Sequence, residues 1–141
     1  MLAKVNQPAA STAQVDPGGG WPVLSVAEAI TRAHLGDQAQ EVEVVEALTL
    51  GAGLIVRWMT LRDPLVSPLS DMETMAFARA CRLMMMSKLA QDLPVAWQRK
   101  SSPQDPEDLE SRADWYFDQA RQAVTLLTGA KVPSRSSSVL L

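Results

Sequence analysis

Few residues in this chain can act as catalytic groups, and their spacing works against each of them. There is one histidine, His34, and one cysteine, Cys81. A nucleophile needs a base within hydrogen-bond reach and a third group to orient that base. His34 has no Ser or Cys near it in sequence and stands one residue before an expected helix end, where the helix dipole favours an imidazolium. Cys81 lies among Ala80, Leu83 and Met84, the setting of a small buried hydrophobe, with only Arg79 and Arg82 near enough in sequence to activate it. A single cysteine excludes an intrachain disulfide and a Cys-based zinc site, and a single histidine excludes a two-His metal motif. Glu41, Glu43 and Glu46 have the chemistry of a carboxylate pair, but acid–base work needs a second converging group and a cleft. A solvated face at a helix N-terminus accounts for them with less. The Gly18-Gly19-Gly20 run lacks the Lys-Ser/Thr end and the strand–helix frame of a phosphate loop, so it reads as a linker. No catalytic residue, cofactor site or metal site is expected, and the chain is not expected to be an enzyme.

Composition narrows the class further. At 141 residues the chain is close to the modal size of one domain. Thirteen Lys and Arg against sixteen Asp and Glu leave a formal charge of −3, which argues against a protein built mainly to grip nucleic-acid phosphates. No apolar run is long enough to span a bilayer, and residues 1–20 contain no signal-peptide core. A cytosolic site of synthesis is the default, and it suits a lone reduced thiol.

The expected organisation is a flexible N-terminal arm over 1–22, a helical domain over 23–132 and a C-terminal tail over 133–141. Between the two ends there is no sustained period-2 alternation, so the fold class is all-α: a compact bundle of about four helices. The first opens at Ser25 with Glu28 three residues on, a capping box, and stops at Gly36. The second begins near 37–40 and runs to about Leu61. Its main apolar face is Val42, Val45, Leu48, Thr49, Ala52, Ile55, Val56 and Met59, with Val44, Leu50, Leu54 and Trp58 elsewhere. Gly51 and Gly53 imply either a close helix crossing or a kink. The third has a second capping box, Ser70 with Glu73, and carries Met72, Met75, Ala76, Arg79, Ala80, Leu83, Met84, Met86 and Leu89 to a stop at Pro94. The fourth starts at Asp105-Pro106 and buries Leu109, Ala113, Tyr116, Phe117, Ala120, Val124 and Leu127 before Gly129.

The methionines of the third helix, Met84-Met85-Met86 with Met72 and Met75, are the least ordinary feature. Consecutive residues point around a helix, so one core cannot take all three of 84–86. Flexible thioethers suit surfaces that repack against partners. The expectation is therefore an intersubunit contact through Met84, Met85 and Met86, with Trp58 beside them.

The segment Leu24-Ser25-Val26-Ala27-Glu28-Ala29-Ile30-Thr31-Arg32-Ala33-His34-Leu35 resembles the opening of the head–tail connector (adaptor) proteins of long-tailed bacteriophages. That family commonly begins with a hydrophobic-Ser/Thr-x-x-Glu-Ala helix ending in His-Leu, followed by an acidic stretch and a long helix. Here Gly36-Asp37 and Glu41 to Glu46 fill the acidic stretch and Val42 to Met59 the long helix. A proline loop, an Ala-rich third helix, a polar loop and a last helix containing Trp115-Tyr116-Phe117-Asp118-Gln119-Ala120 follow in the same order. The similarity spans about Val23 to Gly129, with departures at Gly36, where the family often has a basic or apolar residue, and in the long N-terminal arm. The resemblance implies a structural virion protein made in the host cytoplasm and located in the virion neck. Such a protein forms a ring of usually twelve copies beneath the portal protein, extends the DNA channel with only non-specific proximity to packaged DNA, and meets the next neck or tail-completion protein. It has no active site.

The rival from another class is a helical DNA-packaging or DNA-binding module, a small terminase-like subunit or a helix-turn-helix regulator. Against it, residues 37–56 contain no Lys or Arg, which a helix reading DNA would need. Finally, Val139-Leu140-Leu141 ends a polar tail with three apolar side chains, the pattern of a plug for a partner's groove.

Overall fold

The computed structural model describes residues 12–36, 39–59, 62–92 and 106–128. Two short strands, β1 (Gln14–Val15) and β2 (Leu24–Ser25), pair antiparallel with Gln14 opposite Ser25 and Val15 opposite Leu24. Four helices follow: α1 (Val26–Arg32), α2 (Glu41–Trp58), α3 (Asp71–Asp92) and α4 (Pro106–Thr128). The architecture is the expected four-helix, mainly α domain with one small hairpin added.

Local chemistry sets the helix boundaries. Ser25 Oγ accepts from the Glu28 N–H at 3.2 Å and starts α1, while the Glu28 carboxylate accepts from Arg32 Nε at 2.9 Å. Gln40 caps α2, its own N–H donating to Glu43 Oε1 at 2.9 Å. The Ser70–Glu73 box forms in both directions: the Ser70 N–H donates to Glu73 Oε1 at 3.0 Å and the Glu73 N–H donates to Ser70 Oγ at 3.1 Å. α4 takes Pro106 at its first position, where a missing N–H costs nothing.

The end of α1 differs from expectation. His34, not Gly36, is the residue that leaves the helix in the left-handed conformation, at φ 55°. The Leu35 N–H donates to Ile30 O and the His34 N–H to Thr31 O, both at 3.1 Å, and Leu35 is buried. This is a Schellman stop with its usual apolar anchor, and histidine is among the residues that tolerate that conformation.

α3 is the central element, packed along α2 on one side and α4 on the other. From Phe77 onward its buried positions (Phe77, Ala80, Cys81, Met84, Met85, Met86, Ser87, Leu89, Ala90) point in every direction. Gly51 makes the α2 crossing possible: a Cβ there would stand 3.1 Å from the Met85 backbone nitrogen and 3.2 Å from Met84 Cβ. The close-crossing reading of Gly51 holds. On the α4 side, Ala113, Phe117, Ala120 and Val124 recur at helical spacing and are buried. The buried Ser87 hydroxyl donates to Ala113 O at 2.8 Å, satisfying a polar group that the core would otherwise strand. Leu109 and Gly129 lie outside what is described of the side chains and backbone there.

The expected face of α2 is buried at Leu48, Ala52, Ile55 and Met59 and half-buried at Val45 and Val56, but not at Val42 and Thr49. Its buried residues are Val44, Ala47, Leu48, Gly51, Ala52 and Ile55, followed by Met59, whereas Val42 and Leu50 are exposed. Small residues at 47, 51 and 52 mark the contact because close approach, not side-chain size, is what that face supplies.

Residues 12–22 correct the expected boundary of the arm. Val15 and Trp21 are buried, and Trp21 stacks on Phe77 with ring centroids 5.1 Å apart and planes at 21°. The three glycines between them form a built turn. All have positive φ (79°, 62° and 82°), the Trp21 N–H donates to Gly18 O at 3.1 Å, and the Gly18 N–H donates to Asp16 Oδ1 at 2.9 Å. Glycine takes that conformation without the steric cost other residues meet. The linker reading of 18–20 is therefore replaced by a turn that delivers Trp21 to the core. Residues 1–11 of the expected arm lie outside the described residues.

Candidate functional site

The methionine triplet is not a contact surface. Met84 and Met85 are fully buried and Met86 nearly so, all within the subunit itself. They lie in the stretch of α3 that packs between α2 and α4, and Trp21, stacked on Phe77, adds cover nearer the start of the helix. Trp58 is also turned inward, edge-on to Phe117 with centroids 5.3 Å apart and planes at 81°. The expected intersubunit contact is thus corrected to core at Met84, Met85 and Met86, with Trp58 half-buried against that core. Val139, Leu140 and Leu141 lie outside the described residues.

Cys81 is buried in the α2–α3 contact. Burial pushes its thiol well above the ordinary value, and Arg82 offsets this only in part, so the sulfur stays protonated and inert at neutral pH. His34 is exposed and serves the helix stop. Among Glu41, Glu43 and Glu46, Glu43 is occupied as a capping group. Among the described residues, no three His, Cys, Asp or Glu side chains gather to hold a metal ion, and no helix is long and apolar enough to cross a membrane.

What the fold does expose is a second set of apolar side chains. Met72 and Met75 are 81% and 71% exposed on the first two turns of α3. Leu65 and Val66, in the loop before it, are also largely exposed. That loop is fastened to the helix by Arg62. Its Nη1 donates to Glu73 Oε2 at 2.7 Å and its Nη2 to Glu73 Oε1 at 3.1 Å. Weaker bonds from Nε to Ser67 O (3.3 Å) and Nη2 to Pro68 O (3.2 Å) complete the clamp. Such a forked pair fixes geometry as well as charge. Glu73, holding both Arg62 and the α3 cap, therefore sets the position of loop 62–70 against the start of α3.

Beside Met72 a pocket of about 310 Å³ opens between α3 and α4, lined by Met72, Glu73, Ala76, Arg79, Ala123 and Leu127. The sequence pattern places Met72, Met75 and Ala76 on α3 and groups Met72 and Met75 with the methionine triplet, without separating the exposed pair from the buried three. The spacing 72, 75, 76, 79 is a helical stripe, but it belongs to the part of α3 that neither neighbour covers. A stripe ending in an arginine was the available signal.

No family model, curated protein or solved structure matches the chain.

Proposed function

We propose that the chain is a structural, non-catalytic virion protein: a head-to-tail adaptor that assembles as a ring beneath a portal protein and offers its other surface to the next neck protein. The observation that carries this reading is the pairing of a closed subunit core with large apolar side chains left outside it. Met72 and Met75 on the first turns of α3 and Leu65 and Val66 in the loop before it are exposed, on a loop and helix that the Arg62–Glu73 ion pair joins. Monomeric proteins rarely expose large contiguous apolar patches, and methionine is enriched where subunits meet. A subunit that buries its own triplet of methionines but presents two others in this way has the form of an assembly component. The apolar tail end, Val139, Leu140 and Leu141, adds a second docking element to the same proposal.

The order and spacing of the helices, from the capped Leu24–Leu35 segment onward, support the adaptor class. Glu41, Glu43 and Glu46 at the start of α2 disfavour the rival reading, because that turn would meet DNA phosphates with like charge. An acidic subunit around a channel would let DNA slide without adhering.

Retention on purified portal-bearing heads tests the proposal. Met72→Asp combined with Met75→Asp should melt like the parent chain and fail to be retained. Equal retention of the two proteins would remove this surface from the account.

A further inference from the structure

We propose that the pocket bounded by Arg32, His34, Arg79 and Arg82 is a binding site for a phosphate group. The pocket is about 250 Å³, and its remaining walls are Ala33, Leu83, Met86 and Tyr116. Two elements converge on it. Arg32 and His34 come from the last turn and stop of α1, and Arg79 and Arg82 come from successive turns of α3.

The charge at this place runs against the rest of the molecule. The whole chain carries −3, yet three guanidiniums meet here. Arg79 and Arg82 are three residues apart on one helix face, where like charges repel. Burial, followed by the charges of Arg32 and Arg79, holds the Arg82 guanidinium below its ordinary value. The carboxylate acting in the other direction on Arg82 is Glu28, and it is already engaged by Arg32 at 2.9 Å. Three guanidiniums thus share the one carboxylate named at this place, and net positive charge remains.

The shape of the site selects the anion. A carboxylate is satisfied by one guanidinium fork. A tetrahedral phosphate presents oxygens in several directions and is the better match for a pocket lined by three arginines and a histidine. The shared chemistry is a phosphate oxyanion, and it has two sources, free phosphate and the backbone of a nucleic acid strand. Tyr116 also lines the pocket, and an aromatic residue with arginines is the combination that single strands use. The site stands on this geometry alone and does not depend on the chain forming a ring.

The intact chain should be titrated with inorganic phosphate against chloride of equal ionic strength, and separately with a single-stranded oligothymidylate, following binding by calorimetry. The expected result is saturable one-site binding of phosphate. Arg79→Gln with Arg82→Gln should weaken it by about tenfold or more, while Arg57→Gln, on an exposed residue of α2, leaves it unchanged. Arg79→Gln alone, at an exposed position, gives the same direction if the double variant folds poorly. A strand that binds about tenfold tighter than phosphate and is displaced by it identifies nucleic acid as the source; equal affinities identify free phosphate. No saturable binding of either probe, or binding that survives both arginine variants, would overturn the site.

Discussion

Gly51 of α2 lies directly against the backbone of Met85 in α3: a Cβ added at 51 would stand 3.1 Å from the Met85 nitrogen and 3.3 Å from Cys81 O. Those atoms belong to a helix held on both sides, so they cannot retreat as the tip of a flexible side chain could. Gly53, two residues on, has nothing within 4 Å of its added Cβ. The same substitution should therefore act in opposite directions. Gly51→Ala should destabilise by about 1–2 kcal/mol through overpacking, while Gly53→Ala should stabilise by about 0.5–1 kcal/mol through helix propensity. Paired urea melts measure both.

Met85→Asp should unfold the isolated subunit rather than merely block its assembly. The side chain is fully buried, and a carboxylate there has no partner, a cost of roughly several kcal/mol against a total stability of about 5–15 kcal/mol. Circular dichroism of the purified variant is the check. A native-like melt would place Met85 on a surface after all.

Glu73 makes the stability depend on acid pH. The Ser70 backbone N–H, and then Arg62, hold its carboxyl below the ordinary glutamate value. A carboxylate depressed in the folded state binds protons more readily when unfolded. Its contribution is thus complete above the unfolded value and is lost as pH falls through the folded one. Glu73→Gln should flatten that part of the stability–pH profile and leave the profile above neutrality unchanged in shape.

His34→Gly should stabilise the chain by about 0.5–1 kcal/mol, because glycine adopts the left-handed stop of α1 without steric cost. Thermal melts of the two proteins decide this. A loss of stability would mean that the imidazole contributes more to the fold than its conformation costs.

The sequence made some of this legible and hid the rest for identifiable reasons. Capping boxes are short-range, so Ser25 and Ser70 located two helix starts correctly, and Pro106 a third. Ala113, Phe117, Ala120 and Val124 gave the α4 face because their spacing is unambiguous. The α2 face is legible only in part: Leu48, Ala52, Ile55 and Met59 follow the apolar pattern, whereas Gly51 and Ala47 bury through a close approach that hydrophobicity does not register and Val42 stays outside. The triplet Met84–Met86 reads as a subunit contact because consecutive residues point around a helix, and its burial between α2 and α4 depends on long-range packing that no local pattern shows. Long-range packing alone likewise shows that Trp21, delivered by a glycine turn, reaches Phe77 near the start of α3. The exposed pair Met72 and Met75 shares its helical stripe with buried residues further along, and no local rule marks where the covering helices end.

The adaptor reading is tested most directly by counting this chain in purified virus particles. Quantitative mass spectrometry of virus particles, with labelling of the chain in electron micrographs, should find it at the junction of head and tail in the copy number of a single closed ring, usually twelve in the family the sequence resembles. Absence of the chain from particles, or its recovery spread over the capsid surface, would contradict the account.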